Sequence, residues 1–349
     1  MGDPGPVIDT DLELVARRTV VEGPTEVRFA LRPGDRSLVG PGDTLVPGSR
    51  IADRLRDGRL IEVGAGPVPE DARPGDRWAP ATPTAGIPLR RGHGVAAGEL
   101  LFELGGHWRM AAGEHPEPVD TPIGGVVHDV RPGIGIGVRA EGRILRGVEA
   151  LGDPTRGVLA LGMEPGDGAG PGLILRPGSL NVGLAGTILV VGSRVDAETL
   201  TRARAMGLRG IIVAGLAGKE RRDFLASEAR QRASLHRLPT FAVLVLDGAI
   251  RRRIASPVAA VLIALSGREV AIVTDPPALV FDEPSIEIAS PAIDLVRVRA
   301  GERAGAEGRW AGLAGLRRFA DGTFLEAGWV ELDDGGRVAV PLADLERFA

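Results

Sequence analysis

The sequence predicts a multi-domain, β-rich chain with one α/β parallel-sheet domain in its second half and a short β-rich tail. Three observations carry this. First, 51 Gly and 27 Pro punctuate the 349 residues, far above the usual roughly 12% for the pair. They follow no collagen period, so the first half reads as short strands joined by tight turns. Second, residues 184–278 alternate continuous apolar runs with helix-length segments, the pattern of strands covered on both faces. Third, Asp275-Pro276-Pro277 and Asp282-Glu283-Pro284 read as a linker before a final set of alternating strands. The domains expected are therefore 1–165, 184–278 and 290–349.

Composition then removes several functions. There is no Cys, which excludes disulfides, thiolate catalysis and cysteine metal sites. The net charge of −4 argues against a broad nucleic-acid coat. Lys219 is the only lysine, Tyr is absent and aromatics make up 3%, so platforms for stacking bases or sugars are few. Met1 to Leu12 is acidic, with no basic-then-apolar run. The longest apolar stretch, Ile254 to Leu265, is about 12 residues against the roughly 20 a bilayer needs. A cytoplasmic location without membrane contact is the expectation.

In the first domain, Arg32-Pro33-Gly34-Asp35, Arg73-Pro74-Gly75-Asp76 and Glu164-Pro165-Gly166-Asp167 each centre a turn on Pro-Gly. Gly42 to Ile51 and Gly92 to Leu101 repeat the pattern G-x-x-(V/L)-x-x-G-x-x-(I/L), and Thr121-Pro122-Ile123-Gly124-Gly125-Val126-Val127 follows. These elements resemble the biotinyl/lipoyl-like, barrel-sandwich family over about residues 25–150. The resemblance implies a barrel-sandwich fold. It implies no biotin or lipoate, because that cofactor needs a lysine at a hairpin tip and this region has none, so no cofactor is expected. His93, His107, His115 and His128 fall in this domain, but without H-x-H, H-x3-H or H-E-x-x-H spacing they predict no metal site.

In the α/β domain, Thr187 to Val191 reads as a buried strand, and Ser193 with Asp196 as an S-x-x-D box at a helix start. That helix runs to about Met206, with Gly207 as its left-handed terminus. A strand at Gly210 to Val213, a polar helix from about Glu220 to His236 and a strand at Phe241 to Leu246 come next. Ser256-Pro257 opens a helix closed by Gly267, and Glu269 to Val273 is a last strand. Ligands of open α/β sheets bind beyond the strand carboxyl ends. Ser193, Lys219, Asp247 and Arg251 are therefore the candidates for binding an anion. Gly215-Leu216-Ala217-Gly218-Lys219 lacks both the first glycine and the Ser/Thr of a Walker A loop. Gly133-Ile134-Gly135-Ile136-Gly137 mimics a dinucleotide loop, but no helix follows it. The strand–helix–strand order also resembles swivelling phosphohistidine domains, yet His236 stands at a helix end and not before a helix start. There is no G-x-S-x-G elbow and no readable carboxylate pair, so no catalytic residue is assigned.

The tail carries Val296-Arg297-Val298-Arg299-Ala300-Gly301 and Gly305-Ala306-Glu307-Gly308-Arg309-Trp310, then strands at Ala327 to Leu332 and Arg337 to Leu342 around Asp333-Asp334-Gly335-Gly336. This resembles the KOW motif of SH3-like barrels in ribosomal proteins and transcription factors, over about residues 290–349. Arg297, Arg299, Arg303, Arg309, Arg317 and Arg318 face only Glu302 and Glu307 within 295–318, whereas 319–349 holds two Arg and seven acids. One face is thus expected to attract RNA phosphates or an acidic partner. The leading expectation is a non-catalytic modular adaptor binding a protein or ribonucleoprotein partner. The alternatives are an enzyme or sensor for a phosphate-bearing metabolite at the α/β loops, and an RNA- or ribosome-associated factor using the KOW-like face.

Overall fold

The computed structural model describes residues 14–17, 20–32, 34–56, 60–65, 100–104, 107–111, 115–162, 182–233, 238–250, 252–282 and 291–348. The chain is β-rich with several sheets. It divides into two compact units: one of Met1–Thr25, Glu141–Glu220 and Phe241–Ala349, the other of Glu26–Ala140 and Arg221–Thr240. No helix among the described residues is long and apolar enough to cross a membrane.

The first unit contains a nine-stranded sheet. Its middle is parallel, with Thr155–Leu161, Thr187–Val190, Gly210–Val213 and Ala242–Val245 side by side in chain order. Ile188, Leu189, Ile211, Ile212, Val243 and Leu244 are all buried, so successive side chains on both faces are covered. Helices α1 (Ala197–Ala205) and α2 (Gly218–Ala233) occupy the connections between these strands, and α3 (Ser256–Ala264) follows the last of them. The S-x-x-D box works differently from expectation. Asp196, not Ser193, caps α1, accepting from the Thr199 backbone N–H at 2.7 Å.

The sheet is mixed. Glu269–Thr274 pairs antiparallel with Thr155–Leu161, and Pro277–Phe281 folds back on it. Arg143–Arg146 and Glu149–Gly152 also join it, antiparallel to Pro277–Phe281 and Ala242–Val245 respectively. Two boundaries therefore differ from the sequence reading. Strands before residue 165 belong to this sheet, with Thr155–Leu161 hydrogen-bonded on both edges. Asp275-Pro276 is a turn inside the sheet and not a linker, because Thr274 and Pro277 pair directly across it.

A second sheet of six strands runs in the order Val15–Arg17, Leu345–Phe348, Leu295–Val298, Glu307–Arg318, Phe324–Leu332, Arg337–Pro341. Strand alternation gives it two faces. On one, Val296, Val298, Trp310, Val330, Leu332 and Val340 make a small core. On the other, Phe348 packs into the core of the nine-stranded sheet, where burial of such a side chain stabilises by about 1.5–3 kcal/mol, and the partly buried Leu295 packs against that core. The tail expected as a separate domain is thus part of the first unit. Each sheet also takes one strand from the start of the described chain. Val15–Arg17 pairs in parallel with Leu345–Phe348, and Val21–Glu22 extends the nine-stranded sheet beside Arg143–Arg146.

The second unit carries three small sheets. Thr44–Leu45 lies in one with Gly125–Arg131, while Arg50–Arg56 lies in another with His115–Asp120. The Gly42–Ile51 element consequently turns a corner between sheets at Pro47-Gly48, where Gly48 takes a φ of 88°, and does not form a simple hairpin. The Gly48 N–H donates to the Thr121 carbonyl at 2.7 Å, and the Thr121 N–H to that of Ser49 at 2.9 Å, setting the Thr121 element beside it. Most of the second repeat, residues 92–99, lies outside the described residues.

Candidate functional site

The carboxyl ends of the parallel strands are the expected ligand edge, and their loops are stitched to one another. The Ala214 N–H donates to Gly192, the Asp247 N–H to Ala214 and the Leu216 N–H to Gly248, at 3.2, 2.8 and 3.0 Å, and Arg194 bridges to Gly215. Ser193 sits within this weave, 3% exposed. Its Oγ has no hydrogen-bond partner among the described residues. Lys219, the second residue of α2, is instead 74% exposed and 4.0 Å from Glu220. Arg251 lies outside the described residues. Of the described candidates, Ser193 and the Asp247 side chain are buried while Lys219 is exposed.

Asp247 is enclosed by cations from the six-stranded sheet. Arg17 pairs with its Oδ1, and Arg297 Nη2 lies 3.1 Å from its Oδ2. Alternation explains the arrival of Arg297: with Val296 and Val298 in the small core, position 297 turns outward, toward the face that docks on the nine-stranded sheet. There Arg297 is fully buried. Nη2 also donates to the Arg253 carbonyl at 2.5 Å and Nη1 to Glu346 at 3.5 Å, while Nε stands 3.9 Å from Glu307. Burial works against ionisation of Asp247, but Arg297 and Arg17 outweigh it and hold its carboxyl below the ordinary value of 3.8. Burial also lowers the pKa of Arg252, with Asp247 opposing the shift and Arg297 adding to it. The seam is close-packed: a Cβ on Gly305 would lie 2.8 Å from the Arg252 Cβ.

The helix ends at this edge hold carboxylates as well. Glu220 Oε2 accepts from the Ala197 N–H at the start of α1, and Glu307 Oε1 from the Ser256 N–H at the start of α3, both at 2.9 Å. These are positions where an exogenous anion would otherwise find donors and a favourable dipole.

The six candidate arginines separate into one buried and five exposed. Arg297 presents nothing to a partner, which corrects its assignment to the partner-binding set. Arg299, Arg303 and Arg309 are 44%, 54% and 79% exposed, each 4.0 Å from one carboxylate, of Glu346, Asp334 and Asp294 respectively. Arg317 and Arg318 are exposed near the end of the long hairpin. Arg317 lies over the Trp329 ring at 5.1 Å, and Arg337 lies over the same ring at 4.9 Å. Sequence reasoning missed Trp329 and Arg337. The signal was present, because Gly328 and Val330 face the core and so turn Trp329 outward. It also missed Arg17, Glu307 and Glu346, whose roles depend on docking that no local pattern announces.

Gly135–Ala140 is a strand, and Gly137 lies under the His128 imidazole, whose Nε2 would be 2.6 Å from a Cβ there. His93 and His236 lie outside the described residues, and His107 and His115 are described as strand backbone only. Among the described residues no three His, Asp or Glu side chains group as metal ligands. No family model, no curated protein and no solved structure matches the chain.

Proposed function

We propose that the protein is a non-catalytic scaffold that binds a protein or ribonucleoprotein partner through the exposed arginines of its six-stranded sheet. The observation that carries this reading is the filling of the parallel strands' carboxyl edge by the chain's own charges. Asp247 engages Arg17 and Arg297, and Glu220 and Glu307 hold the starts of α1 and α3. A metabolite anion would have to displace these internal partners. The test is a thermal-shift and turnover panel of inorganic phosphate, nucleotides and sugar phosphates. No shift and no turnover is expected. A shift abolished by Ser193→Ala or Lys219→Ala would transfer the reading to an enzyme or sensor acting at the α/β loops.

The RNA- or ribosome-associated reading is favoured by one arrangement. Arg309, Arg317, Trp329 and Arg337 share the outward parity of the sheet, with the guanidinium groups of Arg317 and Arg337 both over the indole ring. Guanidinium groups beside an indole suit phosphates and unstacked bases. This reading predicts retention of single-stranded RNA that weakens steeply with salt and is lost in Arg309→Glu with Arg317→Glu. Partner capture that survives nuclease treatment, with no direct RNA retention at low salt, would leave the protein-partner reading alone.

A further inference from the structure

The long hairpin outruns the sheet that holds it. Its first strand, Glu307–Arg318, is paired by Leu295–Val298 only at 307–309, and its second, Phe324–Leu332, is paired by Arg337–Pro341 only at 327–331. Beyond those rungs, 315–318 and 324–326 form a ribbon of two strands, an arrangement of marginal stability in water when left uncovered. The turn at its end is nonetheless ordered. Asp321 accepts from both the backbone N–H and the hydroxyl of Thr323, at 3.0 and 2.7 Å.

The register in the ribbon is unbroken, with Gly315 opposite Ala327, Leu316 opposite Glu326, Arg317 opposite Leu325 and Arg318 opposite Phe324. Counting by twos from Val330 and Gly328, which face the small core, puts Glu326 and Phe324 on the core-side face, with Leu316 and Arg318 across from them. The core does not extend that far. Leu316 is 63% exposed and Phe324 61%.

These four side chains occupy the corners of a rectangle, with Leu316 and Phe324 on one diagonal and Arg318 and Glu326 on the other. The face has no net charge, so it offers nothing to a polyanion or a polycation. It is complementary to itself. A two-fold axis along the apolar diagonal sets Leu316 on Leu316, Phe324 on Phe324, and each Arg318 against the Glu326 of the other copy. An axis parallel or perpendicular to the strands would instead set Leu316 against a charged group. The two ribbons then cross steeply, as sheets do in orthogonal packings.

We infer that a second copy of this chain docks on the core-side face of the hairpin tip, forming a two-fold dimer with an isologous interface. The patch falls short of the roughly 1,200 Å² of a standard stable interface, so the dimer is concentration-dependent. It uses the face opposite Arg309 and Arg317, so the scaffold reading and this one fail independently.

The experiment is sedimentation velocity with light scattering on the full chain, from low to high micromolar protein. The expected result is a rise from the 36.4 kDa chain mass toward twice that value. Leu316→Glu with Phe324→Glu should hold the protein at monomer mass with an unchanged melting temperature. Arg318→Glu and Glu326→Arg should each weaken association at least tenfold, and the two together should restore it to within a few-fold of the original. A monomer at every concentration overturns the inference. So does a dimer indifferent to Leu316→Glu with Phe324→Glu, or a double charge reversal that fails to recover association. Monomers that sediment with phosphatidylglycerol vesicles, and lose this with Leu316→Glu, would overturn it in favour of a lipid surface.

Discussion

Arg297 and Arg309 lie on neighbouring strands and the same face of one sheet, and their surroundings are opposite. Arg309 sits across from Leu295, two residues along the strand from Arg297, yet its side chain is 79% exposed while that of Arg297 is fully buried. Residue type, strand and parity are shared, so none of them decides burial. What differs is the docking of the nine-stranded sheet, which brings Asp247 and the Arg253 carbonyl to one guanidinium and leaves the other beside Asp294 at 4.0 Å. A buried arginine is tolerated only where carboxylates and carbonyls replace water. At an exposed arginine a single loose carboxylate adds little.

The largest test of this contrast removes each guanidinium in turn. Arg297→Met leaves Asp247 and Glu346 buried without their common partner and should lower stability by about 3–5 kcal/mol. Arg309→Met should stay within about 0.5 kcal/mol of the original. Urea denaturation of both variants reads the difference directly, and equal losses would break the comparison.

Asp247→Asn sharpens the same contrast from the acid side. It keeps the shape and loses the charge, and about 2–3 kcal/mol of stability should go at neutral pH. The sign of the pH dependence follows from the depressed carboxyl. A group whose native pKa lies below its unfolded value stabilises fully above that unfolded value, near 3.8, and loses the contribution as pH falls through the lower native pKa. The gap between the original protein and Asp247→Asn should therefore be constant from neutral pH down to about 5 and close below about 3.8. Denaturation series across acid pH would show this, and a gap that widened in acid would contradict the assignment.

The base of the hairpin provides a third comparison, because its inner face is packed at Trp310 and Gly328. The ring of Trp310 occupies the space a Cβ on Gly328 would need. Gly328→Ala must push a rigid indole within the small core, at a cost of about 1–3 kcal/mol. A loss near zero by thermal denaturation would mean that the indole has room to shift.

How much of this was legible depends on range. The strands Thr187–Val190 and Gly210–Val213 could be read because their apolar runs are continuous and local. Thr155–Leu161 could not be placed, because its alternating burial resembles a half-covered strand of the first domain, and only its pairings reveal a central position. The burial of Arg297 was illegible for the same reason. Val-Arg-Val-Arg reads as a sheet with solvated arginines, and the acid that captures the first arginine lies fifty residues upstream. One clue was available in Leu295 and Phe348, apolar side chains at outward parity, which mark a face that needs covering.

A small effect on stability is also expected where the proposed function is concentrated. Arg317 and Arg337 flank Trp329 at 5.1 and 4.9 Å, and exposed contacts of this kind contribute about 0.5–1 kcal/mol each. Arg317→Ala with Arg337→Ala should therefore lower stability by less than about 2 kcal/mol, less than Arg297→Met alone. Binding should respond in the reverse order. If the exposed face contacts the partner, the double variant should lose most retention of partner or RNA while remaining folded, measured by fluorescence anisotropy alongside a melting curve. Equal retention by the double variant and the original would make the stack an ornament of the fold. The partner face would then have to be sought at Arg299 and Arg303, on the loop beside the seam.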